Sequence, residues 1–162
     1  MNKVCLLTIG SVVALDRITK HLIESRIPLD SSIDVIPGFF RLTHLENPGG
    51  AFSLFAGSTS GWRTPALIVF AVVAMTVIAV LLWKDRRTNL NTISLSLIFG
   101  GAVGNVWDRL VNGEVTDFLD FYAGTHHWYP FNVADSAIVV GVLLLGLRLL
   151  LAPEKDQKSA QM

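Results

Sequence analysis

A single cysteine, Cys5, stands in 162 residues, which excludes an internal disulfide. A lone thiol near the edge of an apolar run reads as a packed side chain rather than a nucleophile. Charge is also scarce. Only 16% of the residues are Asp, Glu, Lys or Arg, and 13 basic side chains balance 13 acidic ones. No nucleic-acid partner is expected of a chain without net charge. There is no internal repeat, and low-complexity composition is confined to the polar tail after Pro153. No basic P-loop pattern follows the glycines at 100–104, so a phosphate-binding loop is not expected there. The adjacent His126 and His127 lack a carboxylate or cysteine pattern nearby; they read as a solvated loop, and no metal or other cofactor is expected.

What is abundant is apolar sequence. Half of the residues are hydrophobic, and mean hydropathy is +0.51. The length suits one domain, but the composition is too apolar for an ordinary soluble one. Pro65 to Trp83 is a run of nineteen residues in which only Thr76 is markedly polar. At about 1.5 Å per residue it reaches roughly 28 Å, close to the hydrocarbon thickness of a bilayer. Three less pure segments follow the same reading: 4–24 with Asp16, Arg17 and Lys20; 92–111 with Asn105, Asp108 and Arg109; and 133–152 with Asp135, Ser136 and Arg148. The expected fold is therefore a single integral membrane domain, an all-α bundle of four transmembrane helices. The first helix is retained rather than cleaved as a signal, because no small-x-small site follows its apolar stretch.

Charge placement orients the bundle. Lys3, Lys84, Arg86, Arg87, Arg148, Lys155 and Lys158 flank the ends that share one side in a four-span arrangement. The positive-inside rule puts that side, with both termini, in the cytoplasm. The longer connections, 25–63 and 112–132, then face outward. Asp16, Lys20, Asn105, Asp108, Arg109, Asn132 and Asp135 all fall in the outer halves of their helices, and Asp117 falls on the second outer loop. In the first loop, β-formers around Ile33, Val35, Ile36, Phe39 and Phe40 are broken by Pro37-Gly38, with a second turn at Asn47-Pro48-Gly49-Gly50. These predict a small extracytoplasmic β-sheet continuing towards Ala51–Phe55, its apolar side chains facing lipid. Gly57 to Gly61 reads as a flexible link. It and the 120–130 loop are places where the outer face can open and close.

Ionisable groups inside a membrane mark function by default. Asp117 and Asp135 stand eighteen residues apart, one on the loop and one at the mouth of the last apolar run. Two carboxyl groups held close in a partly dry site share a proton, and such a pair can activate water and polarise a carbonyl without metal. The alternative is an outer-loop acid plus an acid favoured by a helix N-terminal dipole. Asp16 and Lys20, at i,i+4, read as a pair that reduces the cost of burial. The spacing of Gly100 and Gly104 reads as close helix packing. Asp108 and Arg109 form an interfacial charge pair, or else Arg109 serves a lipid phosphate or peptide carbonyls. Asn47 either presents amide groups to a bound backbone or merely makes its turn; Asp120 is loop surface or a support for the sheet. Intramembrane acids also fit a proton- or ion-coupled carrier, but then polar groups should cross the whole membrane, whereas here one half is nearly bare. A purely structural subunit has no need of clustered polar residues.

Five blocks together resemble lipoprotein signal peptidase, the type II signal peptidase of bacteria. They are Asp16-Arg17-Ile18-Thr19-Lys20, Asn47-Pro48-Gly49-Gly50-Ala51-Phe52, Gly104-Asn105-Val106-Trp107-Asp108-Arg109, Val115-Thr116-Asp117-Phe118-Leu119-Asp120 and Phe131-Asn132-Val133-Ala134-Asp135. The resemblance covers nearly the whole chain. It implies an aspartyl endopeptidase of the inner membrane that removes signal peptides from diacylglyceryl-modified prolipoproteins just before the lipidated cysteine. Its implied catalytic pair is Asp117 and Asp135, with Asp16, Lys20, Asn47, Gly49, Asn105, Asp108, Arg109 and Asn132 as substrate-binding or supporting residues. The implied partners are the lipidated precursor and membrane phospholipids, the protein itself acting as a monomer with its site toward the periplasm. Arg17 stands where the family commonly has glutamine, and Gly50 where alanine is more usual.

Overall fold

The computed structural model describes residues 2–49, 62–85 and 87–151. The expected features at Ala51–Phe55, Gly57–Gly61, Arg86 and beyond Leu151, including the Gly50 departure, lie outside the described residues. Four long helices and a four-stranded antiparallel sheet follow in the order α1 (Lys3–Arg26), β1 (Ser32–Ile36), β2 (Phe40–Asn47), α2 (Arg63–Lys84), α3 (Leu90–Val111), β3 (Val115–Ala123), β4 (His126–His127) and α4 (Val133–Leu151). The helices match the expected segments to within two residues at each described end. Three of them, α2, α3 and α4, are long and apolar enough to cross a membrane. Helix α1 is as long as the others, but its polar residues keep it below that hydropathy.

The burial pattern of α1 explains the deficit. Its buried side chains are Cys5, Val12, Asp16, Lys20 and Ile23, a stripe at helical spacing. Leu6, Leu7, Leu15, Ile18 and Leu22 are exposed instead. The polarity of a soluble helix is reversed, as suits an apolar solvent. Helix α2 goes further: among its described residues only Arg63 and Leu82 are buried, and Phe70 is 74% exposed.

Helix α3 lies at the centre. A reciprocal capping box between Asn89 and Thr92 starts it, and Gly113, at φ +83°, follows its C-cap Asn112. Its buried face is lined by small residues, which let neighbouring backbones approach closely. Gly100 rests on Val12 and the Ile9 carbonyl of α1, Gly101 on the Ala134 carbonyl of α4, and Gly104 on both Asp16 and Ala134. The packing reading of Gly100 and Gly104 therefore holds, and Gly101 is the tightest of the three.

The sheet order is β1-β2-β3-β4. The hairpin of β1 and β2 turns at Gly38, φ +80°, where Pro37-Gly38 predicted it. Strand β3 corrects the expectation of an outer loop over 112–132. It is the longest strand, and Asp117 sits within it. The 120–130 segment is likewise a short hairpin, with Tyr122 paired to His127 and Ala123 to His126. A cluster of Ile23, Ile27 and Phe118, packed with Leu42, Leu119 and Val133, joins the sheet to the end of α1 and the start of α4. Thr116 Oγ1 donates to Glu24 Oε1 at 2.7 Å, and His44 Nδ1 lies 2.8 Å from the Ile27 carbonyl.

Because a side chain at position 101 would overlap the Ala134 carbonyl, Gly101→Val should destabilise the bundle by at least about 1–3 kcal/mol, the usual cost of overpacking. Gly10→Ala, which meets nothing within 4 Å, should leave stability unchanged or slightly improved. Thermal unfolding in a mild detergent compares the two. Equal melting temperatures would contradict the packing argument.

Candidate active site

Asp117 reaches its place through strand register. Leu42 pairs with Leu119 and Leu45 with Asp117, so β2 carries one extra residue in a bulge across Thr43 and His44. One residue of slip reverses which face a side chain takes. After the bulge, Asn47 pairs with Val115, and its Nδ2 donates to Asp117 Oδ2 at 2.8 Å. The turn that follows is held by Gly49 N donating to Asn47 Oδ1 at 2.8 Å. Arg109 Nη2 donates to the Gly49 carbonyl at 2.7 Å, and Arg109 Nη1 to the Asn105 carbonyl at 3.1 Å.

Asp135 arrives from the other direction. Phe131 makes an isolated bridge to Leu119, with Leu119 N donating to the Phe131 carbonyl at 2.8 Å. That bridge lays the start of α4 beside β3. Asn132 then caps α4: Asp135 N donates to Asn132 Oδ1 at 2.9 Å, and Asn132 N to Asp135 Oδ2 at 3.3 Å. This reciprocal arrangement is a capping box with an aspartate at its third helical position. The Asn132 amide also reaches sideways, Nδ2 donating to Asp117 Oδ1 at 2.7 Å. One fully buried side chain thus links both acids. Asn105 Nδ2 holds the remaining oxygen, Asp135 Oδ1, at 2.8 Å.

Behind these amides lies an ion cluster. Lys20 Nζ stands 2.8 Å from Asp16 Oδ2, 2.6 Å from Asp108 Oδ2 and 3.3 Å from Asn105 Oδ1. Lys20, Asp16 and Asp108 are completely buried. Asp16 Oδ1 accepts from Ala134 N at 3.0 Å, satisfying another free N–H of the α4 terminus. Arg17 pairs with Asp108 from the half-exposed side.

The two acids open on a cavity of about 390 Å³. Asn47, Asn105, Arg109, Asp117 and Asp135 form its polar end, and Ile138, Val139 and Val140 of α4 its apolar wall. Burial pushes the Asp117 carboxyl up to about 7, and the charge of Asp135 adds to that; hydrogen bonds from Asn47 and Asn132 and the charge of Lys20 oppose it. A group titrating near neutrality is suited to general acid–base work. Among the described residues no group of three His, Cys, Asp or Glu side chains stands together to hold a metal ion.

The ten candidate site residues all fall in this region. Asn47, Asn105, Asn132, Asp117 and Asp135 form one hydrogen-bonded set, Gly49 and Arg109 adjoin it, and Asp16, Lys20 and Asp108 lie behind it. Two readings change. Asp117 is a strand residue rather than a loop acid. Asp108 pairs with Lys20 and Arg17, not with its neighbour Arg109, because adjacent helical side chains point apart. Of the two readings of Asp120 the sheet support holds: it is buried, accepting from Arg41 Nε at 2.6 Å and lying 3.0 Å from His127 Nδ1. Arg17 is the residue that sequence reasoning undervalued. Its spacing from Asp108 carries no periodic signal, so only the packing of α1 on α3 reveals the contact.

A family model described as Signal peptidase (SPase) II matches residues 8–151. The chain is 51% identical over 140 residues to the lipoprotein signal peptidase of Solibacter usitatus, covering 86% of this chain and 85% of that one. It is 47% identical over 147 residues to that of Geobacter metallireducens, with 90% of each covered. A solved structure described as a bacterial membrane enzyme, obtained by the in meso method at 1.9 Å resolution, superposes with a TM-score of 0.80 at 31% identity, over 93% of this chain and 94% of that one.

The Asp117 environment has a consequence for stability. Folded Asp117 keeps its proton up to about pH 7, against an ordinary value of 3.8. Between those values the folded state binds more protons than the unfolded one, so stability falls as pH rises through the window and levels off above it. Asp117→Asn should flatten that fall, a difference on the order of a few kcal/mol. Denaturant unfolding in detergent across the window reads it; a wild-type curve no steeper than the variant's would contradict the assignment.

Proposed function

This chain belongs to the signal peptidase II family, the lipoprotein-processing proteases with membrane helices, and we propose that Asp117 and Asp135 are its catalytic dyad, hydrolysing the bond before the lipidated cysteine of diacylglyceryl-modified prolipoproteins. The observation that carries the reading is Asn132, whose side-chain amide donates to the Asp117 carboxylate and whose backbone N–H donates to the Asp135 carboxylate, at the polar end of an otherwise apolar cavity. Asp135 lies at the α4 N-terminus, where the helix dipole favours a negative charge. Asp117 has no such dipole, and in the resting dyad it carries the shared proton. Asp135 then takes a proton from water, whose oxygen attacks the scissile carbonyl carbon, while Asp117 gives its proton to the carbonyl oxygen. The resulting tetrahedral intermediate collapses as the dyad protonates the leaving amine. The pair titrates as one unit. Asn47, Asn105 and Asn132 hold the carboxylates in register, and Arg109, beside the Gly49 carbonyl, is set to meet substrate backbone. Asp16, Lys20 and Asp108 support that set from behind.

Entry follows from the cavity walls. Val139 and Val140 are about half exposed on the outer side of α4, so the cavity opens sideways toward acyl chains. A signal helix arriving through the bilayer presents its scissile amide to the dyad while its diacylglyceryl group stays in lipid.

The membrane placement that goes with this has four spans, α1 included. Its 24 residues at about 1.5 Å each extend roughly 36 Å. Asn2 Nδ2 donates to the Arg87 carbonyl at 3.0 Å, tying the start of α1 to the α2–α3 connection. Lys3, Lys84, Arg87 and Arg148 gather at that end, which supports cytoplasmic termini and a dyad toward the periplasm of the inner membrane. Trp62 and Trp83, both well exposed, lie about 30 Å apart along α2, the separation of two interfacial belts.

Asp117→Asn and Asp135→Asn should each lower cleavage by about 10²–10⁴-fold, the scale of a lost acid–base group, with folding retained. Purified protein incubated with lipidated prolipoprotein, scored by release of the signal peptide on a gel, gives the measurement. A chelator should leave the wild-type rate unchanged. Full-rate cleavage by either variant would sink the dyad.

A further inference from the structure

At the end of the bundle opposite the dyad, α2, α3 and α4 border a second, open recess of about 680 Å³. Among the described residues three cations line it: Lys84 at the end of α2, Arg87 in the α2–α3 connection and Arg148 near the end of α4. Among the described residues the one carboxylate on its wall is Asp85, which accepts from Asn89 Nδ2 at 2.8 Å and from Arg87 N at 3.0 Å and also feels the charges of Arg87 and Arg148. Ion pairs among the described residues use Arg17, Lys20, Arg41 and His127. Lys84, Arg87 and Arg148 therefore leave formal positive charge in excess over Asp85, in a recess of ligand size.

The recess also has a depth. Lys84 directly follows Trp83, which is 65% exposed, and an exposed tryptophan at the end of an apolar helix marks the headgroup level. Leu81 and Leu145 add apolar wall beside the cations. Guanidinium groups bind phosphate oxygens through paired N–H donors, and basic pockets between membrane helices are suited to acidic headgroups. We propose that this recess binds the phosphodiester of an anionic phospholipid, held by Lys84, Arg87 and Arg148, with an acyl chain along Leu81 and Leu145. Such a lipid joins α2 to α4. Helix α2 buries little else, so a bound lipid compensates for its sparse packing. The site is remote from the dyad and does not depend on how the dyad works.

The test uses the full-length protein in a neutral detergent. Phosphatidylglycerol should raise the melting temperature by several degrees, whereas phosphatidylcholine with the same acyl chains and inorganic phosphate should not. Arg148→Gln should lose most of that gain. Lys3→Gln, which removes one charge from the same end but not from the recess, should keep it. Equal effects of the two lipids, a full shift from inorganic phosphate, or equal losses in the two variants would each overturn the proposal. Native mass spectrometry of the wild-type protein with both lipids in equal amounts gives a second reading that needs no variant. Preferential retention of phosphatidylglycerol supports the site, and equal retention refutes it.

Discussion

The ammonium group of Lys20 is the constraint on which the bundle interior depends. It lies fully buried between Asp16 and Asp108, and with Arg17 the four side chains sum to zero formal charge. In a setting with little water, an isolated charge is prohibitive, and only a paired and hydrogen-bonded set is tolerable. Neutrality alone does not fix a geometry; the hydrogen bonds do. Asp16 reaches across to Ala134 N of α4, and Lys20 to Asn105 of α3. One salt-bridged group therefore sets the relative positions of α1, α3 and α4. Gly104 is part of the same arrangement, since a side chain there would strike the Asp16 carboxylate.

From that cluster, order passes outward through amides rather than charges. Asn105 connects Lys20 to Asp135, and Asn132 connects Asp135 to Asp117. Asparagine suits this work because it offers both a donor and an acceptor in a fixed plane without adding a charge. A carboxylate held by two such donors keeps its orientation even as its protonation changes. The sheet completes the set from the other side, bringing Asn47 onto Asp117 through the bulge in β2.

The legibility of the sequence follows the same physics. Apolar runs fixed the helix positions well, because lipid exposure demands them along whole faces. The same measure undervalued α1, whose interior stripe is polar: Asp16 and Lys20 lower its hydropathy while facing inward. Strand β3 was hidden for a related reason. Asp117 and Asp120 interrupt its β-formers, and acids in a polar stretch read as loop. Both are buried, and they take opposite faces, Asp117 toward the cavity and Asp120 toward Arg41 and His127. No periodicity in Val115–Ala123 signals a strand with acids on both faces. Individual site residues were readable as blocks, whereas partners such as Arg17 with Asp108, or Glu24 with Thr116, depend on helix rotation and were not.

Two readings of Asp135 that looked like rivals are compatible in one arrangement. As a structural residue, it closes a capping box and lies in the favourable field of a helix N-terminus. As a site residue, it faces the cavity beside Asp117. The cap suits the proposed role, because it leaves a carboxylate oriented by the Asn132 backbone N–H and the Asn105 amide. Asp117 has neither helix nor cap, and burial pushes its carboxyl toward neutrality. The two acids thus differ in secondary structure, one at a helix start and the other within a strand. Asn132 sits where the two elements meet, and its single amide group keeps them in contact.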